Sequence, residues 1–393
     1  MTSELENDWS TKRRLILRDA LTFLSLALIT AVLFAVTLFL FHSFATHRQE
    51  LAQRWSARGQ AAIASGHPDQ AIVALRTALS YAPGERSYEL LLAQALGDAG
   101  HTEEAYNYFL GLWETQPGNG IMNLRLARLA AKKNDMQAAI NYYRAAIYGT
   151  WEGDGVVRRR EARLELARYL IAHRNLSSAR TELLVTGGNA PDDVSLSLTL
   201  AQLLEQASAP YDALSHYQKV LAREPNNPQA LEAAGRLEYG FSNFEEAHRL
   251  LERAKHELEA SASNQALPPD LQAMLDASKE ILSLAPSKKL PAAERVAHIL
   301  RARDLTKKRF DSCNTAGSAA AAPSSPLQAL SGRWKSKEAT IDRAALLNDP
   351  SEQDAVMTLV YDTEAQTSKI CGAPTGNDAL LLMLSRSPKA VEP

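Results

Sequence analysis

Six alanines, Ala71, Ala105, Ala139, Ala179, Ala213 and Ala247, follow one another at intervals of 34, 34, 40, 34 and 34 residues. Twelve positions before each stands a small residue: Gly59, Ala93, Ala127, Ala167, Ala201 and Gly235. Four positions after each stands a large one: Leu75, Phe109, Tyr143, Leu183, Tyr217 and Leu251. Twelve positions after the alanine, Pro83, Pro117, Pro191 and Pro225 close four of the units. A fixed period of this length belongs to stacked repeat arrays and outranks any local signal. It implies a scaffold with a long surface and leaves open what that surface holds.

The chemistry of one unit accounts for the ladder. Two antiparallel helices cross closely only where both carry small side chains, so each contributes one to the crossing. The large residue one turn beyond the alanine points the same way and fills the space beside it. Proline stops the second helix because it has no N–H to extend the ladder. Between the helices a left-handed residue is wanted. Gly66 and Gly100 suit that place, Asn134, Ser208 and Ser242 fill it elsewhere, and Arg174 fits it least well.

These residues resemble the tetratricopeptide repeat, a helix–turn–helix unit of 34 residues. The first unit, with Trp55, Gly59, Gly66, Ala71, Ala78 and Pro83, matches best. In the third, Trp151 stands where proline is usual, and six extra residues around Gly153 to Arg158 precede the fourth. The sixth lacks its closing proline. The resemblance implies an all-α, right-handed α-solenoid over residues 50–260, with about six repeats.

A second signal precedes the array. Ala20 to Phe41 is an uncharged run of 22 residues rich in leucine, phenylalanine and alanine. As a helix it spans about 33 Å, enough for a hydrocarbon core of about 30 Å. The reading is a short tail at 1–19, a transmembrane helix at 20–44, and almost direct entry into a first repeat helix at Leu51–Ala64. A cleaved signal peptide is the alternative, since Ser43-Phe44-Ala45 offers a small-x-small site, but the apolar run exceeds the usual ~7–15 residues. Lys12, Arg13, Arg14 and Arg18 outweigh Arg48, Arg54 and Arg58 by four to three. That bias favours a cytoplasmic N-terminus and a periplasmic or other extracytoplasmic solenoid, with a cytoplasmic solenoid as the alternative.

The net charge of −2 gives no reason to expect nucleic acid. The two cysteines, Cys313 and Cys371, suit one bridge outside the cytoplasm or stand as two unrelated thiols. Beyond the repeats, residues 268–312 read as capping helices that cover the last apolar face. Arg301, Arg303, Lys307, Lys308 and Arg309 read as the solvated C-terminal end of the second of these helices, where cations suit the dipole, with a phosphate or lipid-headgroup site as the alternative. Residues 313–333, centred on the alanine- and serine-rich Thr315 to Pro326, read as a linker. Residues 334–393 form a small, mostly helical C-terminal region that folds back on the solenoid. Helical patches are expected at Leu327–Trp334, Thr340–Leu347 and Asp378–Leu384, whereas Ala355–Tyr361 suits strand or helix.

Chemistry-bearing motifs are scarce. There is no HExxH zinc motif, no Walker phosphate loop, no GxSxG elbow and no CxxC pair. No enzyme, cofactor, metal or small-molecule substrate is therefore expected. The repeat resemblance supplies the one constellation. In that family the first helix of each unit lines the concave side, and its ninth place points into the groove. Here that place carries Gln60, Gln94, Arg128, Arg168, Gln202 and Arg236, all long hydrogen-bond donors. One turn earlier stand Ser56, Leu90, Leu124, Leu164, Leu198 and Glu232. A donor ladder beside leucines suits an extended peptide, with Arg128 and Arg168 at its centre and Leu124 and Leu164 as floor. Polar residues favoured on any exposed helix face give the same pattern without a ligand. The carboxylate-clamp lysine and asparagine are missing from these places. The function expected is a membrane-anchored, non-enzymatic adaptor that binds a partner protein or peptide in envelope assembly or quality control. The rivals are a permanent subunit of a membrane complex and an enzyme active in its C-terminal region.

Overall fold

In the computed structural model, which describes residues 3–387 except 190, 192, 261–264 and 319–324, every small and every large position of the period is buried, whereas the closing prolines are exposed. The six period alanines are 0 % exposed, as are Ala93, Ala127, Ala167 and Ala201, and the six large residues are at most 3 % exposed. A Cβ added to Gly59 would lie 2.6 Å from Leu75 Cγ, and one on Gly235 would lie 2.7 Å from Leu251 Cγ. The large residue of each unit thus fills the space that the small partner leaves. We expect Ala139→Leu or Ala213→Leu to destabilise its own unit by roughly 1–3 kcal/mol through overpacking. Urea unfolding of the full chain checks this, and unchanged midpoints for both variants would refute the crossing assignment.

The chain forms two compact units, Met1–Leu166 and Ala167–Pro393. The first contains α1 (Ser3–Ala64), α2 (Pro68–Tyr81), α3 (Arg86–Asp98), α4 (Thr102–Trp113), α5 (Gly120–Lys132), α6 (Met136–Tyr148) and the start of α7 (Gly155–Ala172). The second continues with α8 (Leu176–Gly188), α9 (Val194–Gln206), α10 (Pro210–Arg223), α11 (Pro228–Gly240) and α12 (Phe244–Ala260). Among the described residues no strand occurs, only an isolated bridge between Asn119 and Thr150. The architecture is an all-helical solenoid of the tetratricopeptide type.

All six intra-repeat turns take the left-handed conformation. Gly66 and Gly100 have φ of 73° and 86°, and Asn134, Arg174, Ser208 and Ser242 have φ between 56° and 61°. The turn geometry therefore holds even where the residue type is unfavourable. Asn119, Asp135, Asp193 and Asn227 cap helix starts by accepting from the backbone N–H three residues on.

The segment at 1–19 is not separate from the apolar stretch and the first repeat. One unbroken helix of 62 residues, α1, runs from Ser3 to Ala64. No proline or glycine interrupts it before Gly59, so nothing in the backbone chemistry ends it earlier. From Leu15 it is long and apolar enough to cross a membrane, by length and composition, and its apolar window is not buried in the protein. Beyond this stretch the helices of the first unit alternate in direction. The ends of α2, α4 and α6 and the starts of α3, α5 and α7 therefore share one edge, at which α1 enters. Arg48 Nη2 donates to Tyr81 O there at 2.7 Å.

The six extra residues are only partly loop. Thr150 N donates to Gly118 O and Gly120 N donates to Thr150 O, both at 2.8 Å. Trp151, in the place of the usual proline, donates its indole N–H to Ala146 O at 2.9 Å and packs on Gly120. The remainder is wound into the first turn of α7, which Asp154 caps.

The C-terminal elements are α13 (Pro269–Leu284), α14 (Ala292–Ser318), α15 (Ser325–Arg333), α16 (Lys337–Thr340), α17 (Arg343–Asn348), α18 (Pro350–Ile370) and α19 (Gly376–Ser385). Two sequence expectations are corrected here and one open choice is resolved. The capping pair does not stop at 312, because α14 continues through Cys313 to Ser318. The linker at 313–333 is helical at both ends, while 319–324 lie outside the described residues. Ala355–Tyr361 is helix, the middle of the 21-residue α18. Its Val356, Met357 and Val360 join Val296 and Ile299 of α14 in one core. Residues 334–393 are thus not a free-standing region. Leu384 also packs with Phe244 and Ile281, so α19 lies on the last repeat.

Candidate functional site

In the first unit the ninth-place donors Gln60 and Arg128 are exposed and Gln94 is half-buried, with Leu90 and Leu124 half-buried one turn earlier. Leu164 does not belong to this floor: at 8 % exposed it is a core residue. Helix α7 turns it inward beside Ala162 and Leu166, both 0 % exposed. In the second unit Arg168 and Gln202 are exposed, and Leu198 and Arg236 are half-buried.

Two of the arginines are already committed. Arg128 donates from Nε and Nη2 to the two carboxylate oxygens of Glu165, each at 2.7 Å. Tyr143 OH donates to the same carboxylate at 2.9 Å. The hydrogen bond to Glu165 outweighs desolvation and holds the Arg128 pKa above its usual value. The second unit repeats the chemistry with a different register. Arg236 Nη2 donates to Glu205 Oε2 and Tyr217 OH to Glu205 Oε1, both at 2.7 Å. Burial, then the bond to Glu205, pushes the Tyr217 phenol pKa up, so it stays a neutral donor.

These Tyr–Glu–Arg clusters tie Arg128 and Arg236 into the fold. Loss of Arg128 removes two charge-assisted hydrogen bonds from Glu165, which is only 30 % exposed. The glutamates were missed in the sequence, although a signal existed. Tyr143 and Tyr217 stand in a ladder position that is otherwise leucine or phenylalanine, and a buried phenol requires a partner. Gln60, Gln94, Arg168 and Gln202 have no side-chain partner among the described residues. Arg128 and Arg168 fall in different compact units, so each is assigned to the surface of its own unit.

Two further clusters bear on chemistry. His248 Nδ1 lies 3.4 Å from Ser278 Oγ, and His248 Nε2 lies 3.7 Å from Glu252. The spacing resembles a hydrolytic triad, but Ser278 is 0 % exposed and its hydroxyl donates to Leu275 O at 2.8 Å. It is a core contact.

The other cluster corrects the reading of Arg309 as part of a solvated helix end. Helix α14 runs on past it, and α18 covers it, leaving its side chain 14 % exposed. Arg309 Nε donates to Thr367 Oγ1 at 3.1 Å and Nη2 to Gly372 O at 2.9 Å. Its guanidinium also lies 3.5 Å from Glu364 and 3.9 Å from Asp378. Glu364 is 0 % exposed and accepts from Thr306 Oγ1 at 2.9 Å. Burial raises its pKa to about 7, against the opposing pull of Thr306 and Arg309. Beside this cluster the sulfurs of Cys313 and Cys371 are joined, with Cα atoms 5.8 Å apart.

Residues 56–105 and 90–154 match the model of a tetratricopeptide repeat family. This defines the class of the repeats in the first unit. No curated protein matches the chain. Among solved structures, the chain is similar to PilF of Pseudomonas aeruginosa, at 18 % identity and TM-score 0.38, over 58 % of this chain and 99 % of that one. It is also similar to the C-terminal part of a TPR repeat-containing protein of Cytophaga hutchinsonii, at 17 % identity and TM-score 0.42, over 59 % and 95 %. YrrB, described as a TPR protein with an unusual peptide-binding site, matches at 16 % identity and TM-score 0.38, over 52 % and 97 %.

Proposed function

We propose that this chain is a membrane-anchored, non-enzymatic scaffold that holds an extended segment of a partner protein along the first helices of its repeats. The apolar stretch of α1 is the anchor, and the basic residues before it favour a solenoid outside the cytoplasm, where the Cys313–Cys371 bridge persists. The observation that carries the reading is the set of donors left unpartnered beside half-buried leucine. In the second unit these are Arg168 and Gln202, with Leu198 one turn before Gln202. A forked guanidinium suits a peptide carboxylate or carbonyl, the amide suits a backbone group, and the leucine suits an apolar side chain.

The test is made on the full chain in its own membrane. A photo-crosslinking residue at Gln202 should capture a discrete partner, whereas one at the exposed Ser215 of α10 should not. Arg168→Ala should weaken that capture by roughly 2 kcal/mol, the scale of an interface hot spot. Its melting temperature should stay unchanged, because Arg168 has no side-chain partner among the described residues. Equal crosslinking at both positions, or capture indifferent to Arg168→Ala, would sink the groove assignment. Capture that instead follows large apolar patches would favour a permanent subunit.

A further inference from the structure

Unit 1 carries three large apolar side chains on the edge at which α1 enters: Tyr148, Val156 and Ile121. They are 80 %, 64 % and 43 % exposed. Single exposed apolar residues are ordinary on any protein surface. These three differ in placement, because they sit at the end of α6 and the starts of α7 and α5, all on one edge. The bonds between Thr150 and Gly118–Gly120 hold their loops together.

We propose that this edge rests on the bilayer that α1 crosses, with Tyr148, Val156 and Ile121 seated at the interface. The proposal depends on the membrane reading of α1 given above. Two observations favour a bilayer over a protein as the occupant, and a third sets the character of the contact. The first is continuity. From Phe41, the last residue of the uncharged run, to Arg48 the unbroken helix rises about 10 Å. Arg48 bonds the end of α2, so the edge begins there. A headgroup layer of roughly 6 Å brings the first loops within reach of the surface. The second is chemistry. A tyrosine with an apolar body and a polar tip is at home at the membrane–water boundary. The third is charge. Arg86, Arg144 and Arg158 lie among Glu85, Glu114 and Glu152 on or near this edge. Signs so interspersed attract neither an acidic partner nor anionic lipid strongly, so the contact is apolar and indifferent to salt.

The consequence is mechanical. Unit 1 seated by this edge holds its own first helices, α3 and α5, upright on the membrane. The side chains of their exposed faces then open along the surface rather than against it.

The experiment uses the full chain in nanodiscs of phosphatidylcholine alone. Single nitroxides are attached through Tyr148→Cys, Val156→Cys, Gln137→Cys and Leu33→Cys. The unsubstituted chain, its two cysteines bonded to each other, supplies the baseline. Gln137 is exposed at the opposite end of α6. Labels at 148 and 156 should collide with a water-soluble nickel chelate several-fold less than the label at 137, in low and high salt alike. The label at 33 should report hydrocarbon. If 148 and 156 are as accessible as 137 while 33 is in hydrocarbon, the edge stands clear of the bilayer and the proposal is overturned with the anchor intact. A water-exposed label at 33 removes the anchor and this seat with it.

Discussion

Replacing Cys313 and Cys371 together by serine should lower the stability of the second unit by roughly 4 kcal/mol under oxidising conditions. The bridge spans 58 residues of sequence, and closing a loop of that length removes denatured-chain entropy worth about 4 kcal/mol. The native state contributes no competing relief. The bridge joins α14 to the end of α18 beside the Arg309–Gly372 contact, and the Cα separation of 5.8 Å is within the ordinary range. Urea unfolding of the wild-type and double-serine chains, without reductant, measures the difference. Intact mass before and after reduction measures the bond itself. Two free thiols in protein isolated from its native compartment would refute the bridge and favour a cytoplasmic solenoid.

The second unit should also lose stability as the pH rises from 5 to 8, by up to about 3 kcal/mol. The source is Glu364, whose pKa is about 7 in the folded chain against an ordinary 4.5. Between these values the folded state holds a proton that the unfolded state has released. The contribution is therefore full below about 4.5 and is lost as the pH passes about 7. The groups facing Glu364 explain the balance. Burial is the largest influence and Asp378 adds to it, and together they outweigh Thr306 and Arg309, which favour the carboxylate. Arg309 cannot rescue the charge fully, since at 3.5 Å it leans toward Glu364 while donating its Nε to Thr367. Glu364→Gln keeps the shape and removes the titration. It should flatten the pH slope and stabilise the chain at pH 8. A slope that survives in this variant would assign the effect to another group.

The repeat array was legible in the sequence because each crossing is local. Ala127 and Ala139 are both buried on the neighbouring helices α5 and α6, and small residues repeated at that interval suit close helix approach. The left-handed turns at Gly66 and Gly100 were legible for the same reason, and even Arg174 obeys the register that its neighbours impose. The ninth-place donors were likewise visible as a pattern. Their availability was not. Arg128 meets Glu165 across 37 residues and Arg236 meets Glu205 across 31. No spacing within one repeat announces such a pair, because long side chains choose partners only after the helices have stacked.

The C-terminal elements carry the same lesson further. Ala355–Tyr361 suits strand or helix by composition, and burial against Val296 and Ile299 of α14 goes with its helical form. Arg309 looked like a solvated cation until α18 covered it. What the sequence by itself determined is therefore the solenoid, its register and its long apolar entry helix, since these follow from residue size, chirality and period. What only the tertiary structure decided is which ninth-place donors lack a side-chain partner among the described residues, and that Glu364 and Arg309 are held together out of water. Those outcomes depend on contacts between elements far apart in the chain.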